Sequence, residues 1–474
     1  MPKEEKVTLS SKQKALKINL EKKVYGSIVE TGAGQEVARQ FFRAGSASGT
    51  IAKTMSAYDK DFSDAIYGKE KNGRYVCKSR IQNMLSHEYE LLETRLKRKH
   101  FPNRCFFAFA NTIATINYEG TNKGHGWIGV RFQTNSNSKP NDIILHVNLH
   151  DQESAVQQET VGILGTNLIY ACCYSIKPQE ILSQLFDNLS RKKIDIDMIK
   201  FTGPDYSKVD NRLLSLLLVK EGMTDSVIFT PDGTTHQPSD IVHKKNILTL
   251  RGSFRPVTKV NIDMLNNGLN QFSSDPKVDP SNTQVIFEIT LTNLKSDGEV
   301  DEQDFLDRVD ILCSLGHTVM ISNFKKYYKV IEYLSQFSSS RMGLIIGVDN
   351  LLEMFEEKYY RNLNGGIMEA FGIIFTRDIK IYLYPFKSKE NDEILNSKNI
   401  PIHPRIKALY NYLYINKRII DLEYNYNVLN IFSRDVLDKI KKCEEGTWED
   451  KVPDGVDKLI KQGSLFGCSC KLKK

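Results

Sequence analysis

The feature that most constrains this chain is an alternation of short apolar runs with longer amphipathic ones, sustained from about Ile194 onward. "IDIDMIKF" precedes "NRLLSLLLVKEG", "QVIFEITL" precedes "EQDFLDRVDILCSLG", "HTVMIS" precedes "KKYYKVIEYLSQF", and "MGLIIGV" precedes "NLLEMFEEKYY". Short β-branched runs followed by segments with helical periodicity read as strand, then helix. Repeated, they predict a largely parallel sheet covered by helices, at least over residues 283–386. Upstream, "SRIQNMLSHEYELLETRLKRK" predicts a helix burying Ile81, Met84 and Leu85, and "CFFAFANTIATINY", "WIGVRFQ" and "DIILHVNL" predict strands.

Breaker-rich segments punctuate the chain. "TNSNSKPND" reads as a loop, "FSSDPKVDPSN" as a linker between domains, and "KSKENDEILNSKN" as a surface excursion. They predict a flexible N-terminal tail (1–22), an α+β domain with glycine-rich turns and a mixed sheet (23–271), a doubly wound α/β domain (283–440) and a C-terminal tail (441–474). The expected fold class is therefore α/β, an N-terminal α+β part followed by a Rossmann-like, largely parallel α/β domain.

The net charge of +7, from 65 basic and 58 acidic residues, does not imply a nucleic-acid partner, which needs positive charge gathered on one face. The densest basic cluster is "RLKRKH", the solvated end of a helix. The N-terminus lacks the apolar core of a secretory signal, and no run reaches the roughly 18 uninterrupted apolar residues of a membrane-spanning helix. A soluble, cytoplasmic protein is expected. Its eight cysteines fit reduced thiols. In the tail "GCSCKLKK", Cys468 and Cys470 beside lysines read either as a frayed end, as an acylated basic anchor or as a soft-metal contact.

A parallel sheet says where to look for a site, because ligands bind outside the carboxyl ends of the strands. Residues just past the expected strands include Asp205, Asp232, Thr292, Asn293, Ser322, Asn323 and Asn350. Such side chains also cap helices and build turns. Near the N-terminus, "SIVETGAGQEVARQFFRAGSASGT" offers Gly32 and Gly34 of a dinucleotide fingerprint, but Val37 replaces its third glycine. Lys53 does not directly follow Gly49, so a P-loop fails as well. A turn whose backbone N–H groups could hold an anion survives beside the reading of close-packing glycines. In "RGSFRPVT", Arg251 and Arg255 flank Ser253 and could grip a phosphate, or could make structural ion pairs. His146 and His150 share a strand face with Asp151 or Glu153 nearby, yet no established zinc spacing appears. His125 sits between glycines beside Trp127. "IFEITLTN" and "TVMISNF" have the shape of haloacid-dehalogenase-like phosphatase motifs, with Glu288 near the place of the nucleophilic aspartate, which argues against that chemistry.

"GSIVETGAGQEVARQFFRAGSASGTIAKTMSAYDKDFSDAIYG", "KFTGPDYSKVDNRLLSLLLVKEGMTDSVIFTPDG", "RGSFRPVT" and "NIFSRDVL" together resemble an uncharacterised bacterial-type family of similar length, over nearly the whole chain. Its members carry two labels, nicotinate-nucleotide adenylyltransferase-like and TonB-dependent receptor. The second conflicts with the lack of a signal peptide and of an amphipathic strand series. The first implies nucleotidyl transfer, although "GHGW" supplies only His125 of a His-x-Gly-His loop. The resulting expectation is a nucleotide or phosphorylated metabolite bound between the two domains. Arg251, Ser253 and Arg255 would hold the anion with the backbone of Gly32 and Gly34, and Ser322 and Asn323 would add contacts. Asp205 and Asp232 would serve as acid/base groups or as ligands of Mg2+. The alternative is a non-catalytic scaffold or regulatory protein with a degenerate α/β domain.

Overall fold

The computed structural model describes residues 8–71, 73–96, 100–296, 299–376, 379–388 and 392–469. It divides into two compact units, Met1–Thr224 and Asp225–Lys474. No helix among the described residues is long and apolar enough to cross a membrane.

The first unit runs α1 (Ser11–Asn19), β1 (Val24–Thr31), α2 (Glu36–Ala44), β2 (Ile51–Met55), α3 (Lys60–Tyr67), α4 (Lys78–Arg95), β3 (Cys105–Ala114), β4 (Gly124–Phe132), β5 (Asn141–Leu149), α5 (Ser154–Tyr174), α6 (Pro178–Leu185), β6 (Ile194–Thr202) and α7 (Asn211–Lys220). Its sheet has the order β2-β1-β3-β4-β5-β6. β1 is parallel to both β2 and β3, and the remaining pairs are antiparallel. Alternation along β5 sends Ile143, Leu145 and Val147 to the face covered by α2 and α5, where they meet Val37, Phe41, Leu164 and Leu168. Ile144 points the other way, into a cluster with Ile81, Met84 and Leu85 of α4.

The second unit runs β7 (Ser226–Phe229), β8 (Thr235–His236), α8 (Pro238–Val242), β9 (Asn246–Arg251), α9 (Lys259–Ser273), β10 (Thr283–Thr290), α10 (Leu291–Leu294), β11 (Lys295–Ser296), β12 (Glu299–Val300), α11 (Glu302–Ser314), β13 (Thr318–Ser322), α12 (Tyr327–Leu334), β14 (Met342–Gly347), α13 (Val348–Met354), α14 (Gly366–Phe375), β15 (Lys380–Tyr384), β16 (Phe386–Lys387), β17 (Ile394–Leu395), α15 (Lys407–Ile415), β18 (Ile419–Asp421), α16 (Ser433–Lys441) and α17 (Val456–Gly463). Its main sheet has the order β18-β15-β14-β9-β10-β13-β7-β8. The six strands from β18 to β13 are parallel, whereas β7 runs antiparallel to β13.

Three expected boundaries move. "FSSDPKVDPSN" is no domain linker: it joins α9 to β10, and β9 before it pairs with both β10 and β14 in one sheet. Its Asp and Pro residues end a helix and start a strand, which is chemistry any α-to-β turn needs. The division between units falls instead at Thr224 and Asp225. The described part of residues 1–22 is no tail, because Ser10 and Gln13 form a capping box on α1 and buried Lys14 bridges to Asp187 at 2.6 Å. At the other end Trp448 is fully buried, the Phe466 N–H donates to Asp307 at 2.6 Å, and Cys468 is buried. Acylation of Cys468 would need that segment to detach; Cys470 lies outside the described residues, as does part of "RLKRKH".

Candidate functional site

In the second unit the chain visits β9, β10 and β13 in one direction across the sheet, then returns to place β14 on the other flank of β9. Loops leaving β9 and β14 diverge there, and a crevice opens beyond the carboxyl ends. A cleft of about 520 Å³ occupies this edge, a volume suited to a small ligand. Arg251, Gly252 and Ser253 line it from the end of β9, Thr290, Thr292 and Asn293 from the end of β10, and Asn350 and Glu353 from α13. Lys325, Lys326 and Tyr327 follow β13, and Tyr359, Tyr360 and Arg434 complete the wall.

Arg251 is not a free cation. Its guanidinium makes a two-pronged pair with Glu288 of the adjoining strand, both contacts 2.7 Å, and lies 4.4 Å from the centre of the Tyr327 ring. Buried Ser322 donates to the same carboxylate at 2.6 Å, so it positions Glu288 behind the cleft wall. Arg255 pairs with Asp304 at 2.5 Å, and Asp304 also pairs with Arg308. Arg308 donates in turn to the Ser253 and Asn293 carbonyls, at 2.9 and 2.8 Å, which fixes the loop after β9 from behind. Thus Arg255 stiffens the site without lining it, and Asn323, which does not line it either, donates its backbone N–H to the Asp225 carbonyl.

What stays uncompensated is the positive charge that the sequence reading passed over. Lys325, Lys326 and Arg434 make no carboxylate pair among the described residues, and Glu353 is the one acidic side chain on the wall that is not already paired. Burial, with the charges of Lys325 and Arg251 behind it, pushes the Lys326 ammonium below its ordinary value although Glu353 opposes the shift. Its Nζ lies 3.1 Å from the Tyr359 ring centre. The Tyr327 hydroxyl is buried with no hydrogen-bond partner among the described residues. The signal was present in "SNFKKYY", where two lysines follow the end of β13 after Asn323 and Phe324.

The remaining expected site residues do not join this cleft. Gly32 and Gly34 belong to the first unit, where the turn's anion position is already filled from within. Glu30, at the end of β1, accepts from the Val37 and Ala38 N–H groups of α2, at 3.2 and 3.0 Å, and from Asn111 at 3.1 Å. Burial outweighs these donors and pushes its carboxyl up to about 7. Gly32 has φ +85°, and a Cβ there would sit 1.8 Å from the Ile113 carbonyl oxygen, so close packing demands glycine.

Asp205 and Asp232 fail for a reason of direction. β6 is antiparallel to β5, and β7 to β13, so the end of each lies at the sheet edge opposite the carboxyl ends of the parallel strands. Asp205 accepts from Asn141 at 2.7 Å and Thr134 at 2.8 Å, tying two loops. Exposed Asp232 accepts from Thr230 at 2.5 Å and Thr234 at 2.9 Å, and the Thr230 hydroxyl foremost holds its carboxyl down at about 2. Each is a turn-former, and among the described residues no group of three or more His, Cys, Asp or Glu side chains is placed to hold a metal ion.

Comparison with known proteins adds little. No family model matches the chain, and no curated protein matches it. Among solved structures it is similar to the competence/damage-inducible protein CihA from Agrobacterium tumefaciens, with 13% identity over 35% of this chain and 98% of that one. The TM-score is 0.25, too low to establish a shared fold.

Proposed function

We propose that the second unit binds a phosphorylated small molecule, with a nucleotide as the leading class, in the cleft beyond β9, β10, β13 and β14. The observation that carries this reading is the pairing state of the cations: Arg251 and Arg255 are neutralised, while Lys325, Lys326 and Arg434 face the same space with one acidic neighbour, Glu353. A dianionic phosphoryl group would supply the missing charge. Strand order supports the Rossmann-like interpretation of this unit, since β13-β10-β9-β14-β15-β18 corresponds to the 3-2-1-4-5-6 order of dinucleotide-binding sheets. Nucleotidyl transfer is the activity that the family resemblance implies, and a soluble, cytoplasmic setting belongs to the same reading.

A specific observation also favours a second reading, ligand binding without catalysis in this cleft. Asp205 and Asp232, the expected acid/base pair, lie at the wrong sheet edges and in different units. A regulatory or scaffold role would need the ligand as a signal and no reacting carboxylate.

Thermal denaturation of the full chain against ATP, AMP, NAD+, pyrophosphate and sugar phosphates tests the proposal. At least one compound should raise the Tm, and the Lys325→Ala/Lys326→Ala double variant should abolish that rise. A panel with no response, or a rise that survives the double variant, removes the cleft as the binding site.

A further inference from the structure

The first unit holds a constellation that the cleft reading leaves untouched. β6 carries a bulge opposite β5: His146 pairs with Met198 and Val147 with Ile196, which leaves Asp197 as the extra residue. A bulge re-aims a side chain that regular alternation would send elsewhere. Here it delivers Asp197 to the face of His146, whose Nδ1 lies 2.6 Å from Asp197 Oδ1. The second oxygen of Asp197 accepts from Asn148 at 2.9 Å, and the same amide holds Asp195 at 2.7 Å. His146 is fully buried, with the Trp127 ring packed edge-on at 5.0 Å, so its imidazole has one orientation. Its other nitrogen, Nε2, lies 3.4 Å from Nδ1 of half-buried His125, on the neighbouring strand β4. His125 pairs in register with Ala114, the last residue of β3, and with Asn148 near the end of β5.

We propose that His125, His146 and Asp197 form a proton relay, with His125 the catalytic base that takes a proton from a water or hydroxyl group at the carboxyl edge of β3 and β5. Asp197 accepts from two donors, so His146 carries its proton on Nδ1 and presents a lone pair at Nε2. His125 then donates its Nδ1–H to that lone pair and leaves Nε2 as the acceptor, a nitrogen with no protein partner among the described residues. When Nε2 takes a proton from the bound water or hydroxyl, Nδ1 passes its own to His146. The products are an oxyanion or hydroxide, a neutral His125, and a His146 imidazolium resting against the Asp197 carboxylate. Charge balances, and the reverse transfer resets the chain. His125 and His146 cannot both hold charge comfortably at this separation.

The surroundings require such a relay. Burial, then the facing imidazole of His146, pushes the His125 imidazole down to about 4; Asp197 opposes this from β6 and Arg74, before α4, adds to it. An isolated His125 would be a weak base at neutral pH. Coupled to His146 it needs to hold the proton only in passing, while the cation settles beside Asp197. His146 and Asp197 are thus positioning residues.

Two measurements on the full chain test this. Proton-detected NMR of histidine-labelled protein across pH 4–8 should show the first imidazolium at His146 with its Nδ1–H strongly downfield. A first protonation at His125 would overturn the relay. With p-nitrophenyl acetate as the probe, His125→Gln should lower the hydrolysis rate about tenfold or more, and Asp197→Asn should move the pH midpoint of that rate. Full retention of rate in His125→Gln, with an unchanged Tm, would overturn it as well. Should Asp197→Asn fail to fold, the His125→Gln rate and the wild-type NMR titration still decide the outcome, and His317→Gln, far along the chain, should leave the rate unchanged.

Discussion

Both units place a glycine-bearing turn after a central parallel strand, and both put a buried glutamate beside it, but the two glutamates do opposite things. In the first unit Glu30 reaches forward into the N-terminus of α2 and occupies the anion position itself. In the second, Glu288 reaches sideways and neutralises Arg251, leaving Lys325, Lys326 and Arg434 to set the charge of the cleft. A turn's glycines therefore say little about ligand binding until the nearest internal carboxylate is located. One unit closes its anion site with its own side chain, and the other holds a basic cleft open on a neutral, rigid wall.

The comparison breaks most visibly at Glu288. Glu288→Ala leaves Arg251 buried without its partner and Ser322 without its acceptor, which should cost about 3–5 kcal/mol of stability. Urea denaturation would show it as an early transition in the second unit. A change below about 1 kcal/mol would mean that Arg251 reaches solvent freely and could bind an anion directly.

Next in size is Glu30. Its folded carboxyl titrates near 7 against an ordinary 4.5, so the protonated form is favoured by the fold. That contribution is complete below about pH 4.5 and is lost as pH rises to about 7, an effect of roughly 3 kcal/mol. Glu30→Gln should remove this slope: its Tm relative to wild type should rise between pH 5 and pH 8. Parallel Tm–pH curves would show that Glu30 is ionised throughout and that helix α2 stabilises it fully.

Much of the architecture behind this contrast is legible in the sequence, because it rests on local periodicity. The helix over residues 78–95, the strands β3 to β5 and the alternation after residue 283 follow from side-chain spacing, and Thr292, Asn293 and Asn350 do line the cleft. Strand direction is not local. Nothing in "IDIDMIKF" or "SVIF" says that these strands run against their neighbours, so Asp205 and Asp232 were placed on the wrong edge. Pairing across strands is equally hidden: Arg251 and Glu288 are 37 residues apart and meet only because β9 and β10 are adjacent. The Asp197–His146 contact depends on a bulge that no residue pattern announces.

The cleft lysines come third. Each of Lys325→Ala and Lys326→Ala should leave urea stability nearly unchanged, since neither makes an ion pair among the described residues. Each should weaken a phosphorylated ligand about tenfold, or ~1.4 kcal/mol, measured by calorimetry with whichever compound the thermal panel selects. Lys326→Ala should have the larger effect at low salt, because its ammonium is already depressed by burial and by neighbouring positive charge. Equal affinity for wild type and both variants would remove the cleft as the anion site, as a thermal response that survives the double variant would.

The smallest effect belongs to Asp232, and it tests the argument from strand direction. Its carboxyl is held down at about 2, below an ordinary 3.8, by the Thr230 hydroxyl and by the backbone N–H and hydroxyl of Thr234. A depressed acid contributes stability above its unfolded value and loses it as pH falls through its folded one, here between about pH 4 and pH 2. Because the side chain is exposed, solvent screens the contribution, and Asp232→Asn should differ from wild type only marginally and only in that acid window. At neutral pH the variant should match wild type both in Tm and in affinity for the cleft ligand. Loss of binding at neutral pH would be the informative failure, since a residue at the amino-terminal edge of the parallel strands can influence a ligand at their carboxyl edge only through the sheet between them.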